Sequence, residues 1–133
     1  YNCGRGTEKQ FQVIGHPLDQ QGNYTYTPIS RPGAKWPKHQ DQLCRGNDLS
    51  ITAVEKLQSM NQLDIERILN LYSQFPEPDE FFREDGYFRL LAGTDDLQKQ
   101  LENKETAENI RASWRKDLTA YKALRSKYLI YQE

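Results

Sequence analysis

Cysteine is scarce in this chain. Cys3 and Cys44 are the two among 133 residues, too few for the bridge framework that holds small disulfide-rich domains together. Their separation fits no metal-ligand motif, and the two histidines, His16 and His39, have no third ligand at a useful spacing, so no metal is expected. Cys3 and Cys44 keep two readings, a single disulfide or free cysteines, which are commonly buried. No apolar stretch approaches the ~20 residues that span a bilayer, so no membrane span is expected, and the amino end carries no hydrophobic signal-like core. There is no initiator Met, and Tyr1 reads as an internal boundary, with any export signal upstream of it. An excess of charge of either sign is missing too. The 18 Lys and Arg against 19 Asp and Glu leave −1, which gives no global field to draw the chain to nucleic acid or to an anionic membrane surface. Internal repeats and low-complexity tracts do not occur.

What is present suits one domain with one continuous core. An apolar fraction of 36% and a mean hydropathy of −0.93 make that core thin, and some apolar surface is expected to face a missing domain or partner. The first half reads as short strands and turns. Residues 11–14 are apolar and stopped by Gly15 and Pro17, residues 24–27 are aromatic and β-branched, and residues 48–54 alternate Leu49 and Ile51 on one face. Residues 31–45 form an irregular loop rich in proline and basic residues. The second half reads as helix. Ile65, Ile68, Leu69, Tyr72 and Phe75 form a stripe ending at Pro76; residues 77–86 are an acidic loop; a short apolar turn around Phe88, Leu90 and Leu91 stops at Gly93. Thr94 and Thr106 are the expected caps of two further helices, the second carrying Ile110, Trp114, Leu118, Tyr121, Leu124 and Tyr128 on its apolar face. Strands first and helices later predict an α+β fold, a small, mainly antiparallel sheet from the first half packed against helices from the second. Ile68, Leu69, Trp114, Leu118 and Tyr121 are the expected core, and helical spacing places Tyr128 and Tyr131 there as well.

Two loops carry chemistry. In Gly4-Arg5-Gly6-Thr7, two glycines let the backbone bend tightly and approach a ligand while the guanidinium grips a carboxylate or phosphate; the alternative is a plain turn before a strand. In the loop from Arg31 to His39, Lys35 and Trp36 offer a cation beside an indole that can stack on a sugar ring; the alternative tucks Trp36 into the core. A pair of carboxyl groups can act as general acid and base only where their environments split their acidities. Asp79, Glu80, Glu84 and Asp85 lack the apolar cover that would split their acidities, so they read as solvated. Glu8 is expected to pair with Lys9 or Arg5.

An ordered set of short runs gives a more specific reading. Gly4-Arg5-Gly6-Thr7 with Phe11, Ile14-Gly15-His16-Pro17, Tyr26-Thr27-Pro28, Gln42-Leu43-Cys44-Arg45-Gly46, Leu90-Leu91-Ala92-Gly93-Thr94-Asp95, Ile110-Arg111-Ala112-Ser113-Trp114 and Tyr128-Leu129-Ile130-Tyr131 together cover almost the whole chain. Their order resembles the carboxy-terminal part of the NamZ-type exo-β-N-acetylmuramidases, bacterial glycoside hydrolases of peptidoglycan fragments. Gly46-Asn47-Asp48-Leu49 departs from that pattern, where a more apolar strand start is usual. The resemblance implies a single carboxy-terminal auxiliary domain over residues 1–133, an upstream Rossmann-like domain of the same protein as partner, and an active site in the cleft between them. It implies a periplasmic or secreted protein and a saccharide containing muramic acid as ligand. The catalytic carboxylates are then upstream, so no catalytic residue, metal or cofactor is expected here. The expected substrate-binding residues are Gly4, Arg5, Gly6 and Thr7 at the cleft, with Lys35 and Trp36. A stand-alone cell-wall-binding module and a purely structural domain are the alternatives.

Overall fold

The computed structural model describes residues 1–131. Among these residues three strands and five α-helices follow one another: β1 (Val13–His16), β2 (Tyr24–Tyr26), β3 (Cys44–Asp48), α1 (Val54–Met60), α2 (Ile65–Gln74), α3 (Tyr87–Ala92), α4 (Asp96–Glu102) and α5 (Ala107–Arg125). The fold is α+β, with the strands in the first half and the helices in the second. Chain contacts divide it into two compact units, one of Tyr1–Asp64 and Asn70–Phe81, the other of Ile65–Leu69 and Phe82 onward.

In the first unit the sheet order is β1-β3-β2, both pairings antiparallel. The central strand is thus the most polar of the three, Cys-Arg-Gly-Asn-Asp, a composition that propensity argues against. Close approach explains it. Gly46 pairs with Gly15 on one side and Tyr24 on the other, and a Cβ at Gly46 would collide with the carbonyl oxygen of Ile14 and lie 2.5 Å from the Gly15 Cα, so a larger residue would push the strands apart. Val13, Tyr26 and Cys44 form the buried cluster, with Tyr24 against it. A second apolar group joins Tyr1, His16, Phe75 and Phe81 through ring contacts of 4.9–5.9 Å, and so ties residues 70–81 to β1.

Two expected strands move. Residues 11–14 do not start one: Phe11 has φ of 59°, its amide is bonded to the Cys3 carbonyl, and the strand begins at Val13. Residues 48–54 do not form one either. Asp48 Oδ1 accepts hydrogen bonds from the amide and hydroxyl of Ser50, and the Thr52 amide bonds to the Leu49 carbonyl, so side-chain capture of the backbone turns the chain into α1. The observed third strand lies earlier, from the last two residues of the expected loop, Cys44 and Arg45, to Asp48, the first residue of the expected strand.

The second unit has its core in Ile65, Leu97, Leu101 and Ile110, surrounded by Ile68, Leu69, Phe82, Phe88, Ala92, Ala107 and Trp114. The helix ends follow the expected chemistry. Gly93 closes α3 and Thr106 caps α5, its Oγ1 accepting from the Asn109 amide at 3.2 Å; at α4 the cap position falls one residue later than expected, on Asp95, and Thr94 Oγ1 accepts from the Asp96 amide at 3.1 Å. A bidentate pair joins Arg111 to Glu66, at 2.6 and 2.5 Å. The expected core is too long at its far end. Trp114 is half-buried, but Leu118 and Tyr121 are 49% and 60% exposed, and Tyr128 and Tyr131 are 76% and 85% exposed. Periodicity marks one face of α5; after Trp114 that face runs past the residues that could cover it.

Candidate functional site

Asn2 shapes the amino-terminal loop. Its backbone bridges to Gly15 in β1, and its side chain, 2% exposed, accepts from the Gly4 amide at 2.6 Å and donates to the carbonyls of Arg5 and Lys38. The Tyr26 hydroxyl donates to the Asn2 carbonyl at 2.7 Å. The loop is therefore pinned from inside by one amide side chain. An Asn two residues before a Gly amide is a recognised turn signal, and sequence reading could have used it.

A Cβ added at either glycine of this loop would point into the fold. Gly4 and Gly6 are buried with φ of 78° and 87°. A Cβ at Gly4 would strike the Lys9 carbonyl and lie 2.9 Å from Val13 Cγ2; one at Gly6 would lie 2.7 Å from the Ile29 carbonyl and 2.8 Å from Pro37 Cγ. The Thr7 hydroxyl is also committed internally, donating to the Gly4 carbonyl at 2.7 Å and accepting from the Lys9 amide at 2.9 Å. These three residues hold the loop's shape, and that shape presents Arg5 to solvent.

Arg5 Nη2 donates to the Gly33 carbonyl at 3.0 Å, reaching a tight turn with Pro32 and Gly33 at its centre. Pro fixes the first central residue of such a turn, and Gly33, at φ of 79°, supplies the positive angle needed at the second. The Ala34 amide closes it on the Arg31 carbonyl at 2.9 Å. Between loop and turn lies a cleft of about 270 Å³ whose walls include Arg5, Gln10, Phe11, Arg31 and Gly33. Lys35 and Trp36 follow the turn but are not in its wall. Trp36 is 78% exposed, which rules out the core reading, and Lys35 Nζ stands 5.4 Å from its ring centroid.

The acidic residues are arranged differently from the expected pairs. Glu8 is bonded to Arg31 rather than to Lys9 or Arg5, and Lys9 is bonded to Asp48. Asp79, Glu80, Glu84 and Asp85 are exposed, and a hydrogen bond from Arg83 holds the Asp85 carboxyl below its ordinary range. None of them has the apolar enclosure that makes a carboxyl a general acid near neutral pH. Cys3 is exposed and Cys44 buried, both as free thiols. His16 and His39 stack edge to face at 4.3 Å, and burial pushes both imidazoles down to about 4. Among the described residues no three His, Cys, Asp or Glu side chains gather as a metal site, and no helix is long and apolar enough to cross a membrane.

Residues 1–131 match the family described as "Exo-beta-N-acetylmuramidase NamZ, C-terminal". The chain belongs to this family. It is 32% identical to the peptidoglycan β-N-acetylmuramidase NamZ of Bacillus subtilis over 96% of its own length and 33% of that protein's. It is also similar to a crystal structure of a DUF1343 family protein from Bacteroides fragilis, with a TM-score of 0.90 and 38% identity, over 99% of this chain and 36% of the other. The chain thus spans about a third of each relative. The resemblance to a NamZ carboxy-terminal domain read from the ordered runs is correct.

Proposed function

We propose that this chain is the auxiliary domain that completes the substrate cleft of an exo-β-N-acetylmuramidase releasing N-acetylmuramic acid from the non-reducing ends of peptidoglycan fragments. It would work outside the bacterial cytoplasm, in cell-wall turnover. The observation that carries this reading is the placement of Arg5, an exposed guanidinium on a loop locked by Asn2, Gly4, Gly6 and Thr7 and facing a cleft with a second arginine. A rigid, two-pronged cation suits the lactyl carboxylate that distinguishes N-acetylmuramic acid from N-acetylglucosamine. The hydrolytic carboxyl pair would come from the upstream domain. The exposed stripe of Leu118, Tyr121 and Leu124 on α5 suits that domain as its partner, since the curated relative carries twice as much further chain.

The test is made in a full-length protein carrying this domain. Arg5→Lys keeps the charge and loses the fork, and should reduce the preference for N-acetylmuramic acid over N-acetylglucosamine glycosides by about 1–3 kcal/mol in kcat/KM. This chain alone should show no turnover of either glycoside. An equal fall for both sugars with a shifted pH profile would instead assign Arg5 to orienting an upstream carboxylate, and an unchanged preference, rate and pH profile would make the loop a structural turn.

A further inference from the structure

Phe11 breaks two rules at once. An aromatic residue with φ of 59° is strained, and such strain normally persists where packing compensates it. Here the backbone is held by the bond of the Phe11 amide to the Cys3 carbonyl, but the side chain itself is 75% exposed and stands in the wall of the same cleft as Arg31. Arg31 is also incompletely used. It meets the exposed Glu8 through Nη1, and its Nε is buried with no hydrogen-bond partner among the described residues, an unfavourable state for a charged donor. A carboxylate entering the cleft could take both prongs of this guanidinium in place of the single contact with Glu8.

We propose that Phe11 and Arg31 are ligand-contacting residues, Phe11 stacking on the pyranose ring of a sugar acid and Arg31 acting with Arg5 on its carboxylate. This rests on the sugar-acid reading of the Arg5 cleft and assigns two further residues of its wall. An aromatic face binds the apolar face of a pyranose whatever its charge, whereas the arginine pair reads only the acid. The two residues therefore have separable signatures.

The chain is titrated with N-acetylmuramic acid and with N-acetylglucosamine, following the backbone amide resonances of residues 5–11 and of Gly33. Phe11→Asn places a residue that tolerates positive φ at that position. It should leave the melting temperature unchanged or raised while weakening both sugars about 3–10-fold. Arg31→Gln should weaken N-acetylmuramic acid about 10-fold or more and leave N-acetylglucosamine unchanged, with Arg31→Lys intermediate. If Phe11→Asn lowers the melting temperature, or both variants bind the two sugars as the parent does, the inference is overturned. Loss of acid discrimination in Arg5→Ala alone would then keep the earlier reading while removing this one. Absence of any shift at these amides overturns it as well, and the rate test of Arg5→Lys still decides the function on its own.

Discussion

At the scale of the residue, neighbours in the amino-terminal loop divide their work sharply. Asn2 satisfies the Gly4 amide and two carbonyls from a buried position, so Asn2→Ala should destabilise the chain by about 2–4 kcal/mol by stranding those groups. Arg5→Ala should cost less than about 0.5 kcal/mol, because its one hydrogen bond lies at the surface. Urea denaturation of the two variants separates them, and a large loss for Arg5→Ala would make the guanidinium structural. Arg5 stands out in the sequence because two glycines flank it. The turn signal of Asn2 before Gly4 and the place of Phe11 in the ordered runs are visible too, but burial of the amide, exposure of the phenyl ring and the unfilled guanidinium of Arg31 are properties of where the chain goes, not of residue type.

At the scale of the element, helices α2, α4 and α5 were legible, whereas α1 was not read and begins at the residue expected to end a strand. The stripe from Ile65 to Phe75, the stop at Gly93 and the cap at Thr106 are local features, set by spacing and by backbone groups within one turn, and each appears where expected. The central strand was not legible, because Gly46 serves a contact with residues some thirty positions earlier in the chain and carries no apolar alternation. Helix α5 shows both cases. Ile110 is fully buried, so Ile110→Ala should cost about 2–5 kcal/mol; Tyr121→Ser, one face and three turns later, should stay within about 0.5 kcal/mol in this chain. Thermal denaturation decides it. A loss of several kcal/mol for Tyr121→Ser would mean that the stripe is covered.

At the scale of the whole molecule, the two units should answer acid in different windows. His16 and His39 have folded-state values of about 4, lowered from the ordinary 6.5 chiefly by burial, with the Lys38 cation adding to it. The neutral rings are favoured in the folded state, so their contribution is complete above pH 6.5 and is lost as pH falls toward 4. Glu66 is lowered to about 2 by hydrogen bonds from Arg111; its contribution is complete above about pH 4.5 and is lost toward pH 2, and exposure keeps it small. Hydrogen exchange read residue by residue should therefore show β1 loosening first on acidification, and His39→Gln should flatten that first step. Simultaneous loosening of both units would contradict it. The sequence by itself determined the α+β order, the helix ends and the family, because these rest on local periodicity and on short runs in a set order. The tertiary structure alone decided which glycines face inward, which strand is central, that α5 outruns its core, and that Phe11 and Arg31 join Arg5 around one cleft. Those outcomes depend on contacts between distant segments, and such contacts leave no periodic trace in the chain.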